Sequence, residues 1–345
     1  MKGLTYHKDY NKYDLGIDHP LVGDKPARTI ETFKEKKILK YFDVFTPKKG
    51  DERYILKVHD EKYIKKLKRL SKKGGELSAD TPAPKKIYRY AALAAGGTIL
   101  CGEKLLENYE IMMNPLGGFH HAGRSFSSGF CFLNDIAICI EYLKEISDLE
   151  KFLIVDLDVH HGNGTQDIYR KDSGVLNVSF HQDGRTIYPQ SGEIEEIGSD
   201  KGEGYTINLP LPPGTGSGTF LRAFDSIVEP LTIQYKPDII LYQAGVDTHH
   251  SDPLADLELS YQTFYFLAKK MKDLSNKTCN KLLVMLGGGY DSLSCVNSYY
   301  NLSCGLLNSD NYIRETSRST FQKFSEVMKR TKNLKKNLSK YWNLE

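Results

Sequence analysis

Six short apolar runs, at 111–114, 152–157, 176–180, 205–209, 239–243 and 282–286, are each closed by a polar or glycine-rich cluster. Helical patterns separate them, at 85–107, 133–146, 218–235, 260–274 and 321–338. Most of the runs are continuously apolar rather than alternating. Strands need that composition when helices cover both faces of their sheet, whereas a sheet with one wet face alternates. The expected fold class is therefore α/β, three layers deep, with a mainly parallel central sheet. Loops rich in Gly and Pro at 73–84, 161–164 and 210–218 punctuate one domain, and no repeat, low-complexity block or linker divides the chain.

Composition removes several classes of function. With 345 residues, 40% hydrophobic, 15 Phe and 22 Tyr, the chain has ample material for a large core, which argues against disorder. The formal charge is only +3, too small for the basic field on which nucleic-acid binding rests, so no direct nucleic-acid partner is expected. Charge is concentrated at the end: from Tyr312 onward there are nine Lys or Arg against three Glu, most simply a solvated helix face. Six cysteines form no Cys-x-x-Cys pair, which excludes a zinc finger. The first residues are polar and charged and the longest apolar stretch is glycine-rich and short, so a reduced, cytoplasmic setting without membrane insertion is expected.

In a parallel sheet the loops leaving the carboxyl ends of the strands gather at one edge, where ligands bind. Here those loops carry Gly117-Gly118-Phe119-His120-His121, Asp156-Leu157-Asp158-Val159-His160-His161-Gly162-Asn163-Gly164, Ala244-Gly245-Val246-Asp247 and Gly287-Gly288-Gly289-Tyr290. A strand repeats every two residues, which puts Asp156, Asp158 and His160 on one side. Buried carboxylates are costly unless a cation or several donors answer them, and one divalent ion held by Asp158, His160 and Asp247 answers both acids at once. Such a set is neutral overall and leaves positions open for water and a carbonyl, the signature of a catalytic rather than structural site. Zinc suits these ligands, and iron(II) or another first-row ion also fits. Taken alone, each piece has a plainer reading: a lone Asp as a helix cap, a His pair as satisfied core residues, a glycine run as a turn. Their coincidence on one rim favours function.

The same segments, together with Ser128-Gly129-Phe130-Cys131-Phe132-Leu133-Asn134-Asp135, resemble the arginase/deacetylase superfamily. More narrowly they are similar to histone deacetylases and their bacterial and archaeal amidohydrolase relatives, from about Tyr6 to about Leu307. The resemblance implies a deacetylase catalytic domain over 1–310 and a basic helical extension over 311–345 packed on that domain. It also implies one zinc per chain on Asp158, His160 and Asp247, His121 as general base, His120 as electrostatic partner near the leaving amine, and Tyr290 polarising the acetyl carbonyl. Phe130 and Tyr188 would wall a tunnel for the acetyl-lysine stem, with Gly129, Leu254 and Gly288 also at the substrate. Asp80 matches a rim aspartate that holds a substrate backbone, though an Asp capping a turn before Pro82 is an equal reading. Asp156, Asp158, His160, Ser179 and Phe180 match a structural K+ or Na+ site, and Asp156 would also accept a hydrogen bond from His120.

One position departs from the commonest family pattern. Asn163 stands where many members carry a second Asp behind the general base; the asparagine resembles the class II and bacterial amidohydrolase branch rather than class I, and a neutral acceptor stabilises the imidazolium of His121 less than a carboxylate would. Three readings compete with an acetyl-lysine deacetylase acting on proteins or peptides. A two-manganese ureohydrolase needs carboxylates where Gly162 and His249 stand. An acetylpolyamine deacetylase shares the chemistry, but Leu254 follows Asp252-Pro253 where an acidic gatekeeper would sit, with Asp252 and Asp256 pulling the other way. A silent acyl-lysine-binding module would be expected to lack Tyr290 or a ligand.

Overall fold

The computed structural model describes residues 1–344 except Val22 and 317–319. Its strands are β1 (Lys2–Thr5), β2 (Asp43–Phe45), β3 (Gly75–Ser78), β4 (Thr81–Ala83), β5 (Ile111–Asn114), β6 (Phe152–Asp156), β7 (Val175–Gln182), β8 (Thr206–Leu211), β9 (Ile239–Gln243) and β10 (Leu282–Met285). Eight of them form one sheet in the order β2-β1-β5-β10-β9-β6-β7-β8, while β3 and β4 make a separate hairpin. The pairings of β1 with β2 and β5, of β6 with β7 and β9, and of β7 with β8 are all parallel. Every residue of β5 to β10 is buried, as strands covered by helices on both faces require.

The residues group by internal packing into two compact units. The first holds Met1–Leu149, Asn163–Ile168 and Leu283–Gly287. Its long helix Ile87–Leu106 lies on β1, β5 and helix Asp135–Ile146, and a run of small residues from Ala91 to Thr98 lets these backbones approach closely. Asn114, at the end of β5, donates to Ala94 O (3.1 Å) and Thr98 Oγ1 (2.8 Å), so a polar side chain is fully satisfied inside the core.

The second unit holds Glu150–Gly162, Tyr169–Leu282 and Gly288–Glu345. In it β6 and β9 pair with Asp156 opposite Gln243, and β6 and β7 with Asp156 opposite Ser179. Helices Tyr261–Lys277 and Ser292–Leu307 pack on each other, and helix Phe324–Leu338 packs on β8 and on helix Ser217–Tyr235. That last helix buries Val327, Thr331, Leu334 and Leu338, a 3.6-residue stripe turned to β8 and helix Ser217–Tyr235. Arg330 leaves its polar side to reach Asp183 Oδ2 (2.7 Å) and Pro210 O (2.9 Å).

Candidate active site

In the second unit, β6 ends at Asp156, so Asp158 and His160 sit in the turn beyond it and not along a continuing strand face as their alternation predicts. Side-chain bonds to backbone align them instead. Asp156 Oδ1 accepts from Asp158 N (3.2 Å), and Asp158 Oδ1 accepts from His160 N (3.0 Å). Asp247 arrives from the loop after β9, its Oδ1 accepting from Val159 N (2.9 Å), while Gln243 Nε2 donates to Asp158 Oδ2 (3.1 Å). One donor atom from each of Asp158, His160 and Asp247 lies within 4.8 Å of the other two. His160 Nδ1 is 3.1 Å from Asp158 Oδ1 and 3.4 Å from Asp247 Oδ2.

All three side chains are buried, and Asp247 Oδ2 has no hydrogen-bond partner among the described residues. Burial and the neighbouring charge of Asp158 push the pKa of Asp247 up. Burial opposes a charge on His160, but Asp158 and Asp247 outweigh it and raise its pKa to about 10. The protein alone therefore leaves this cluster short of positive charge, and two carboxylates with one imidazole fit a divalent first-row ion.

A glycine turn closes over the cluster. Gly288 has φ +71°, and a Cβ there would strike Asp158 Oδ2 and lie 2.8 Å from Asp247 Oδ2, so only glycine lets this backbone close over the two acids. Tyr299 Oη donates to Gly288 O (2.6 Å) and pins the turn. Tyr290 follows, its ring 6.5 Å from the His160 ring, and Tyr188, 38% exposed, stands 6.3 Å from the same imidazole. Asp252 is buried: Oδ2 accepts from Tyr290 N (2.7 Å) and Oδ1 from Leu254 N (3.0 Å). Ser179 is buried beside Asp156, with Oγ 2.8 Å from His181 Nδ1, and Phe180 packs on Phe220.

The histidine pair belongs to the first unit. His120 and His121 are buried with ring centroids 4.0 Å apart. His121 Nδ1 is 2.7 Å from Asn163 Oδ1, which places the ring proton on Nδ1 and leaves Nε2 as the basic nitrogen. Gly129, at φ +53°, covers the ring so closely that a Cβ would collide with it. Asp80 Oδ2 accepts from Gly129 N (2.7 Å), and its other oxygen takes Ser78 Oγ (2.8 Å) and Thr81 Oγ1 (3.0 Å). Asp80 thus caps the hairpin turn and reaches the loop carrying Phe130. Phe130, at φ +67°, meets His19 edge-on at 4.4 Å and accepts from Tyr13 Oη at its carbonyl (2.7 Å).

Behind the pair stand residues to which the sequence assigned no task. Asp135 is fully buried and its carboxylate accepts from Gly118 N (3.0 Å) and Phe119 N (2.7 Å). Asn134 caps helix Asp135–Ile146 through Ala137 N (3.0 Å) and donates to Ala122 O (3.1 Å) and Thr165 Oγ1 (2.9 Å). The two lie side by side at the end of the segment from Ser128 to Asp135, and Asn at a helix start is the available signal. Asp252 gave no comparable sign, because its tie to Tyr290 spans 38 residues.

With this geometry in view, comparison with known proteins places the chain. The histone deacetylase domain matches residues 19–305. The chain belongs to the histone deacetylase family. A probable deacetylase of Archaeoglobus fulgidus is 37% identical over 309 residues, 88% of this chain and 84% of the relative. Histone deacetylase 14, chloroplastic, of Arabidopsis thaliana is 33% identical over 81% of this chain and 69% of that one. The acetoin utilization protein AcuC of Bacillus subtilis is 31% identical over 84% and 77%. Among solved structures, the HDA15 HD domain superposes with a TM-score of 0.86 over 99% of this chain and 95% of that one at 24% identity, which speaks for the fold. Membership in this family supports deacetylase activity, a hydrolysis. No helix among the described residues is long and apolar enough to cross a membrane.

Proposed function

We propose that this histone deacetylase family chain is a zinc-dependent enzyme that hydrolyses the acetyl amide of lysine in proteins or peptides. The observation that carries the reading is the buried convergence of Asp158, His160 and Asp247, with no hydrogen bond to Asp247 Oδ2 among the described residues. These three would hold the ion, which when bound supplies Lewis acidity toward the amide carbonyl and toward water.

The chain's own groups do the rest. His121, with Nδ1–H held by Asn163, takes a proton from the attacking water at Nε2. Tyr290 donates its hydroxyl to the oxygen on which negative charge develops, and its backbone is held in place by Asp252. His120 stabilises charge near the leaving nitrogen, assisted by Asp156, and protonation of that nitrogen completes the release of acetate. Phe130 and Tyr188 flank the aliphatic stem, with Gly129, Leu254 and Gly288 lining its path and Asp80 at the rim. Asp156, Asp158, His160, Ser179 and Phe180 would hold a structural K+ or Na+.

A peptide is favoured over a polyamine by the fate of Asp252. Its carboxylate is turned inward to Tyr290 N and Leu254 N, so it is not displayed to a distant cationic amine. Asp256 is exposed but its Oδ2 already accepts from Gln182 Nε2 (3.2 Å). The test is a panel of acetyl-lysine peptides, acetylpolyamines and longer acyl-lysines with zinc-reconstituted protein and its Tyr290→Phe variant. Acetyl peptides should be cleaved fastest, and Tyr290→Phe should lower kcat by about 10²-fold or more with little change in KM. Hydrolysis of none of the panel by fully loaded protein would overturn the reading.

A further inference from the structure

Two residues past Asp247 lies a cluster that deacetylation does not use. His249 and His250 are adjacent, with ring centroids 4.3 Å apart and planes 32° apart, and both reach one carboxylate. His249 Nε2 is 3.3 Å from Glu315 Oε2, and His250 Nε2 is 3.2 Å from Glu315 Oε1. Donor atoms of the three residues lie within 4.8 Å of one another. As hydrogen bonds to a carboxylate these separations are long, since charge-assisted N–H···O contacts settle near 2.7–2.9 Å. The two separations run to different carboxylate oxygens, so Glu315 bridges the two rings and can turn either oxygen to an ion held between them.

The surroundings hold the donors in place. The His249 side chain is only 2% exposed and stacks on Tyr261, with centroids 4.4 Å apart and planes 19° apart. Its Nδ1 accepts from Ser251 N (3.3 Å) and lies 2.9 Å from Ser251 Oγ, which fixes the orientation of the ring. Glu315 is fixed through its own carbonyl, which accepts from Gln262 Nε2 (2.8 Å). His250 and Glu315 are 26% and 19% exposed, which gives an ion a way in from solvent and leaves a coordination position for water.

We propose that His249, His250 and Glu315 form a second metal site, for a divalent transition ion of the zinc type. Two imidazoles select against magnesium and calcium, which prefer oxygen ligands. Such an ion would tie segment 311–315 to the loop that carries Asp247. The inference is independent of whether Asp158 serves catalysis.

The experiment uses the full chain, stripped with chelator, reloaded with Zn2+ or Co2+, desalted and assayed for metal per chain, alongside Asp158→Asn, His250→Ala, Glu315→Gln and the double variant Asp158→Asn/His250→Ala. The expected result is two ions on the wild type, one on each single variant and none on the double variant. In the Asp158→Asn background Zn2+ should raise the melting temperature, and adding His250→Ala should weaken that binding about tenfold or more. Circular dichroism confirms that each variant is folded. For a variant that does not fold, cobalt d–d spectra of the wild type must show two distinguishable binding phases. A wild type that binds one ion and loses it with Asp158→Asn, but keeps it with His250→Ala and Glu315→Gln, overturns this proposal and leaves the deacetylase reading standing. Loss confined to His250→Ala and Glu315→Gln would do the reverse.

Discussion

Acidification should strip the fold of a separable increment of stability that belongs to His59. Its ring is 1% exposed, with Nδ1 2.8 Å from Gly123 O and Nε2 accepting from Asn134 N at 3.0 Å. A carbonyl can only accept and an amide N–H can only donate, so this ring is neutral with its proton on Nδ1. Burial is the main cause that pushes its pKa from 6.5 down to about 4. Between those values the unfolded chain binds a proton that the folded chain refuses. The His59 contribution is therefore complete above pH 6.5 and is lost as pH falls toward 4. One such proton is worth ~1.4 kcal/mol per pH unit, so about 2 kcal/mol is gone near pH 5 and about 3 kcal/mol near pH 4. Urea unfolding of wild type and His59→Gln across this range isolates the term, because every other group is common to both. Wild type should be the more stable near neutrality, and its advantage should shrink by about 2 kcal/mol near pH 5. An advantage that stays constant from neutrality to about pH 5 would refute the argument that a neutral His59 joins Gly123 to the cap of helix Asp135–Ile146.

Three further outcomes follow from the same geometry. Replacing Asn163 by Asp puts a carboxylate behind His121, stabilises its imidazolium and should move the acidic limb of the kcat/KM profile to higher pH; an unmoved limb would remove Asn163 from the mechanism. Gly288→Ala adds ~1–2 kcal/mol of backbone strain at φ +71° and drives a methyl into Asp158, so metal affinity measured by calorimetry should fall by at least about tenfold. Asp252→Ala frees the Tyr290 amide and should lower kcat by about tenfold, yet cost much less in a Tyr290→Phe background; equal losses in both would mean Asp252 acts elsewhere.

Legibility followed burial and locality. β5 and β9 have the bounds their apolar runs predict, because each is a buried strand cut off by a polar or glycine residue. β1 and β2 escaped notice: Lys2–Thr5 and Asp43–Phe45 are too short and too polar to register as runs, yet they extend the sheet at one end of its strand order. Helix Ser292–Leu307 was missed for a different reason, since its buried face is built of Ser, Tyr and Asn as much as aliphatics, and hydropathy periodicity cannot see it. The predicted helix from residue 133 begins instead at Asp135, because Asn134 spends its side chain as the cap. Of the candidate site residues, the convergence of Asp158, His160 and Asp247 was readable from their loops. Their alignment was assigned to strand pleating, whereas hydrogen bonds in a turn provide it. Glu315 lies 66 residues from His249, and nothing local in sequence announces such a partnership.

The register that sets Asp156 opposite Gln243 bears on how an ion is captured. Asp158 and Asp247 follow the ends of two strands that pair directly, and Gln243 reaches across to Asp158. The entropy of assembling these donors is thus expended when the strands pair, not when metal arrives. A finger domain collapses without its zinc, but donors assembled this way should stay in place without an ion, so under the proposed function chelation would act as a reversible off-switch on a chain that stays folded.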